Sequence, residues 1–169
     1  QISYQLPAGG FAYLADAIKR VVDVPVIACN RINNVDTMED ILKNGMADFV
    51  GTARGFLADP CFAEKVFTGK PYNKCQGCNK CIEAVLRGKP VLCAYNPEVG
   101  HEAEEKTHRK VVSAKKILVI GAGPAGLEAA KKSAERGYKT ILCTKDSYLG
   151  GMLVSASIPP KKQDLMKYI

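Results

Sequence analysis

Cys75, Cys78 and Cys81 are each separated by two residues in the run CQGCNKC, and Cys93 follows after eleven more. Thiolates ligate both iron–sulfur clusters and structural zinc. Three sulfurs on one short loop, with a fourth from farther along, suit a [4Fe–4S] cube, in which each iron takes one thiolate. Structural zinc more often joins two separate Cys-x-x-Cys knuckles, and thiols without a metal are the third reading. The spacing favours iron–sulfur.

A second pattern with chemical meaning is Gly121, Gly123 and Gly126, a G-x-G-x-x-G that directly follows the apolar run Ile117–Ile120 and opens a helical pattern. In that setting Gly121 permits the tight turn. Gly123 lets a pyrophosphate approach the backbone, and Gly126 lets helix and strand pack closely. The helix N-terminus supplies free N–H groups and partial positive charge. The acidic residue that would hold a ribose hydroxyl belongs at the end of the second strand, where Thr144 stands, followed by Lys145 and Asp146. Thr144 is a poor substitute for that acid, and Asp146 is the displaced candidate. Gly150 and Gly151 offer another close approach to a diphosphate.

These residues must be held by an α/β framework. Leu14, Ala15, Ile18, Val21 and Val22 lie at helical spacing, predicting an amphipathic helix over 11–22. VPVIAC (24–29) reads as a strand buried on both faces, and ADFVGTAR (47–54) as another running into a loop. Between them a helix is expected from an N-cap at Asp36, with Glu39 as capping-box partner, to a stop at Gly45. Asp59 and Pro60 are expected to open a further helix as cap and first residue. Alternation of this kind implies a parallel sheet with covering helices. Residues 71–114 are loop-rich, with a short helix over 82–87 ending at Gly88 and a polar connector over 100–114 that carries His101 and His108 as solvated residues. Residues 115–169 restart as strand, glycine turn, helix, a stop at Gly137, and strand.

Charge is uneven: residues 115–169 hold ten basic and four acidic groups, against seven and eight in residues 1–70. No aromatic-rich basic motif accompanies the excess, so it reads as solvated surface and not as a nucleic-acid site. Seven cysteines without a visible leader favour a reducing, cytoplasmic setting. Cys29, Cys61 and Cys143 read as buried small hydrophobes. No apolar run approaches the roughly 20 residues of a membrane span.

Taken together, PVIACNRINN, ADFVGTARGFLADP, the CQGCNKC loop with Cys93-Ala-Tyr-Asn-Pro, and VIGAGPAGLEAA resemble the iron–sulfur relatives of Old Yellow Enzyme. That group includes 2,4-dienoyl-CoA reductase, trimethylamine dehydrogenase and enoate reductases. The resemblance implies an internal piece of a longer enzyme, inactive alone. Residues 1–70 would be the C-terminal strands and helices of an FMN-binding TIM barrel, with 24–29 and 47–51 as its seventh and eighth strands. Residues 71–114 would be the cluster loop and linker, and 115–169 the first part of a Rossmann-like FAD- or NAD(P)-binding domain. Asn30, Arg31, Ala53 and Arg54 match the family's FMN-phosphate positions, where a forked guanidinium suits a phosphate dianion. Many members carry glycine in place of Asn30 and Ala53. The implied reaction is NAD(P)H-driven reduction of an activated C=C bond in an unsaturated acid or CoA ester. Electrons would pass from FAD through a [4Fe–4S] cluster to FMN. A trimethylamine-dehydrogenase-like enzyme would run the flow in reverse. A zinc-stabilised, non-catalytic module is the reading from another class. The catalytic acid would lie upstream of Gln1, the remainder of its own chain would be the first partner, and self-association stays open.

Overall fold

The computed structural model describes residues 6–105, 115–159, 162, 163 and 166. The chain is a mixed α/β protein that divides into two compact units, Gln1–Glu102 and Ala103–Ile169.

The first unit runs α1 (Ala12–Lys19), β1 (Ile27–Ala28), α2 (Val35–Lys43), β2 (Phe49–Val50), α3 (Ala53–Ala58), α4 (Phe62–Phe67) and α5 (Lys80–Leu86). The one-turn helix α6 (Glu102–Glu105) follows at the division between units. β1 and β2 pair in parallel, Ile27 opposite Phe49 and Ala28 opposite Val50. Ala12, Ala28, Ile32, Ile41 and Ala47 form the buried core, with Ala15, Met38, Met46 and Val50 packed against it. Asp48 braces the sheet entrance: one carboxylate oxygen accepts the Val26 N–H at 2.8 Å and the other pairs with Lys19 at 2.8 Å.

Several boundaries differ from the sequence expectation. The cap of α2 is Asn34, whose side-chain oxygen accepts the Thr37 N–H at 3.2 Å, two residues before the expected Asp36. Glu39 makes no capping box and instead pairs with Lys43 one turn on, at 3.2 Å. Gly45 ends the helix in the left-handed region as expected (φ 66°). Asp59 and Pro60 do not start α4, which begins at Phe62 after Cys61. Asp59 ends α3, and its side chain is turned inward for another purpose. The helix expected over 82–87 begins earlier, at Lys80, and places Cys81 in its first turn. The apolar stripe of α1 is not buried: Leu14 and Ile18 are each about half exposed, and only Ala12 is buried. Ile27 and Phe49 are open as well, so the run expected to be covered on both faces is covered on one among the described residues. Cys29, Cys61 and Cys143 are exposed and not buried.

The second unit holds β3 (Lys116–Ile120), α7 (Pro124–Glu135), β4 (Lys139–Cys143) and α8 (Met152–Ser157). β3 and β4 pair in parallel from Lys116 opposite Lys139 to Ile120 opposite Cys143. A parallel pair needs a crossover, and α7 provides it, packing on both strands. Gly137 stops α7 with φ 94°, and Pro124 occupies its first turn, where the absent N–H costs nothing. His108 lies outside the described residues; His101 is exposed.

Candidate functional site

Both predicted phosphate loops of the first unit converge on the cysteine loop. After β1 the chain turns through two consecutive left-handed residues, Asn30 (φ 86°) and Arg31 (φ 55°). Asn tolerates that backbone state better than most residues, and glycine adopts it freely. Glycine would fit position 30 without strain. The turn sends the Arg31 side chain inward, where Nε and Nη1 are buried. Its guanidinium lies against Gly77, between the first two cysteines: a Cβ on Gly77 would sit 2.5 Å from Arg31 Nη1. Gly77 is buried with φ 67°. One residue beyond Ile32, Asn33 Nδ2 donates to the Cys75 carbonyl.

The loop after β2 makes the matching approach. Ala53 is the first residue of α3 and is exposed; Arg54 Nη1 donates to Asn79 Oδ1 at 2.7 Å. Asn79 is itself left-handed (φ 64°) and stands just before α5, between Cys78 and Cys81. Arg31 and Arg54 are close enough to repel. Burial and that repulsion lower the Arg31 pKa, and Cys75 pulls it back up.

Two main-chain N–H groups point at sulfur: Gly77 donates to Cys75 Sγ at 3.4 Å and Tyr95 to Cys93 Sγ at 3.5 Å. Burial pushes the Cys75 thiol above its ordinary value. The Gly77 N–H and Arg54 pull it down, and Cys78 and Cys93 push it further up. Cys78 and Cys93 are therefore each near enough for their charge to be felt at Cys75. All four cysteines are free thiols. Among the described residues, no three His, Cys, Asp or Glu side chains close on one metal-ion position. A single zinc requires its sulfurs within about 2.3 Å of one point, whereas a cube takes one thiolate at each of four iron corners.

Sequence reasoning missed the residues that tether this loop. Asp59 is 2% exposed. It pairs with Lys65 at 2.7 Å and accepts the N–H of Asn73 at 3.0 Å, just ahead of the cysteines, and of Cys61 at 3.1 Å. Burial works against the Asp59 carboxylate, but Lys65 and the two N–H groups outweigh it and hold its pKa below the usual range. Beyond Cys93, buried Asn96 donates to the Leu57 carbonyl at 2.9 Å and accepts the Glu98 N–H at 3.0 Å. An aspartate before proline reads as a helix cap, so nothing local marked Asp59 as the loop's anchor.

Replacing Asp59 with Asn should destabilise this unit by about 2 kcal/mol at neutral pH, because Lys65 loses its partner. A carboxylate whose folded pKa is depressed contributes stability above its unfolded value of about 3.9. That contribution disappears as pH falls through the lower folded value. The gap between wild type and Asp59→Asn in denaturant melts should therefore be full at pH 7 and close below about pH 4. A gap unchanged at pH 3 would place the cost in packing instead.

In the second unit the glycine turn forms one wall of a pocket of about 420 Å³ lined by Gly121, Ala122, Gly123, Thr144, Lys145 and Gly151, among others. Gly121 has φ 104° and its N–H donates to the Cys143 carbonyl at 2.7 Å. Gly123 has open space where a Cβ would be. A Cβ on Gly126 would meet the Gly121 carbonyl oxygen at 1.8 Å. Gly150 donates its N–H to the Ala122 carbonyl at 2.7 Å, and Gly151 lies over Gly123, bringing the second glycine pair onto the first. The Thr144 hydroxyl accepts the Asp146 N–H at 3.3 Å, and Lys145 and Asp146 complete the pocket rim.

Known proteins match on both sides of the cysteine loop. Residues 11–73 match the NADH:flavin oxidoreductase / NADH oxidase family, and residues 116–167 match the FAD dependent oxidoreductases. A metal reductase of Desulforamulus reducens is 46% identical over 98% of this chain and 25% of its own length. An NADH oxidase of Thermoanaerobacter brockii is 39% identical over 91% of this chain and 24% of its own. Among solved structures, a 2-naphthoyl-CoA reductase superposes with a TM-score of 0.86 at 30% identity, covering 98% of this chain and 26% of that one. A histamine dehydrogenase from Rhizobium sp. 4-9 superposes with a TM-score of 0.85 at 28% identity over 97% and 25%. The chain spans about a quarter of the length of these relatives. The fold and the paired matches define a piece of a flavin-dependent oxidoreductase. Together the matches support a fragment of an Old Yellow Enzyme-like flavin oxidoreductase.

Proposed function

We propose that this chain is the junction of an NAD(P)H-dependent reductase that delivers electrons to an activated C=C bond in an unsaturated acid or CoA ester. In this reading β1 and β2 are the seventh and eighth strands of a TIM barrel, residues 71–114 are the iron–sulfur segment, and 115–169 open a Rossmann-like domain. Asn30, Arg31, Ala53 and Arg54 would frame the FMN phosphate, as the loops after those strands do in such barrels. Cys75, Cys78, Cys81 and Cys93 would each hold one iron of a [4Fe–4S] cluster. Gly121, Gly123, Gly126, Gly150 and Gly151 would line the diphosphate of FAD or ADP. When bound, the flavins supply hydride chemistry and the cluster supplies one-electron transfer between them.

The observation that carries this reading is the convergence of Arg31 and Arg54 on the cysteine loop, Arg31 against Gly77 and Arg54 bonded to Asn79. One patch of protein then serves both a phosphate and a cluster, the proximity a relay requires. The resemblance to a CoA-ester reductase supports the substrate class. The histamine dehydrogenase likeness keeps amine oxidation, with electrons leaving through the cluster, as the second reading. Anaerobic titration of the holoenzyme separates the two. NADH or NADPH should bleach the flavin absorbance, and an enoate or enoyl-CoA should restore it. Bleaching by an amine alone, with no response to nicotinamide, would reverse the assignment.

The cytoplasm is the proposed location, in keeping with ligands that must stay reduced. Among the described residues no helix is long and apolar enough to cross a membrane.

A further inference from the structure

We propose that Arg31, beyond framing the flavin phosphate, is a positioning residue of the cysteine loop that raises the reduction potential of the group its thiolates bind. This rests on the iron–sulfur reading above. The guanidinium lies against Gly77, Nη1 foremost: a Cβ on Gly77 would be 2.5 Å from Nη1, 3.3 Å from Cζ and 3.8 Å from Nη2. The guanidinium thus occupies the space a side chain at position 77 would need, so any larger residue there must displace it. Gly77 is left-handed, and its N–H is aimed at Cys75 Sγ. The same residue that makes space for the cation therefore sets the hydrogen bond to the first sulfur.

The neighbouring contacts keep that arrangement in place. Asn33, two residues after Arg31, holds the Cys75 carbonyl. Arg54 holds Asn79 on the far side of Cys78. The CQGCN turn is thus gripped at Cys75, Gly77 and Asn79 by side chains from the two strand-end loops. Arg31 and Cys75 attract one another electrostatically, and burial of Nε and Nη1 limits solvent screening. Adding an electron to a four-thiolate cluster increases its negative charge. A fixed cation with N–H donors beside it favours that reduced form. Because guanidinium stays protonated at any working pH, the bias is permanent.

The test compares Arg31→Gln and Arg31→Lys holoenzyme with wild type, reading iron and sulfide content, FMN content, and the cluster midpoint potential by EPR-monitored redox titration. Arg31→Gln should shift the reduction equilibrium about tenfold toward the oxidised form, about 59 mV for one electron. Arg31→Lys, which keeps charge and loses the fork, should recover part of the shift. Gly77→Ala, which displaces the guanidinium without neutralising it, should move the potential in the same direction as Arg31→Gln. An unchanged potential in Arg31→Gln, whether or not FMN is lost, overturns the proposal and leaves Arg31 as a phosphate ligand alone. Wild-type protein without iron and sulfide would instead overturn the parent reading, independently of any variant.

Discussion

Holoenzyme carrying Cys78→Ala should lose the broad visible absorbance of an iron–sulfur protein, together with its iron, its acid-labile sulfide and its NAD(P)H-driven turnover. Each iron of a cube needs its own thiolate, and alanine supplies no donor. Cys78 suits this experiment because its side chain is exposed. Removing it leaves no cavity, so any drop in melting stability beyond about 0.5 kcal/mol measures what the bound cluster itself contributes. The loop's own tethers, Asp59 to Asn73 and Asn96 to Leu57, do not involve sulfur and remain. The expected pattern is therefore complete chemical loss on an intact fold. Full iron and sulfide content with undiminished turnover would remove Cys78 from the ligand set. One zinc per wild-type chain, with no sulfide, would install the structural-module reading in its place.

Gly126→Ala should be the most damaging single change in the second unit. The added methyl would stand 1.8 Å from the Gly121 carbonyl oxygen, a main-chain atom that cannot swing aside. Relief requires α7 to lift from β3, and overpacking of this severity costs about 3 kcal/mol or more. The same movement opens the turn at Gly121 and Gly123, so the nucleotide should dissociate. The measurements are FAD released on gel filtration and the melting of the unit. Retained flavin with unchanged stability would contradict the close helix–strand contact. Gly123→Ala offers a contrast: its Cβ would enter open space. It should spare the fold and weaken only ligand approach.

How much of this was readable in the chain varies by element. The glycine turn was legible because each glycine answers a local demand, and spacing alone carries it. The cysteine quartet stands out by spacing in the same way, and its ligand role is the proposal made above. The start of α2 was not: Asn34 and Asp36 are both acceptable caps two residues apart, and tertiary placement of the loop after Ile32 decides between them. The apolar stripe of α1 announced a buried face, but periodicity cannot say what lies opposite, and among the described residues the stripe is open. The anchors Asp59 and Asn96 act across 14 and 39 positions of sequence, respectively. No local pattern encodes such a contact. Arg31 was recognised as a basic residue in a strand-end loop, yet its direction follows from a left-handed backbone that a non-glycine residue does not advertise.

The left-handed pair after β1 depends on its neighbours. Asn30 and Arg31 occupy a conformation that L-residues disfavour by about 1–2 kcal/mol each, and such turns persist only where their surroundings dictate them. Here the dictating surface is the opposite loop, reached through Gly77 and the Cys75 carbonyl. The two turns therefore brace one another: loosening the cysteine turn would remove the support that keeps Asn30 and Arg31 left-handed.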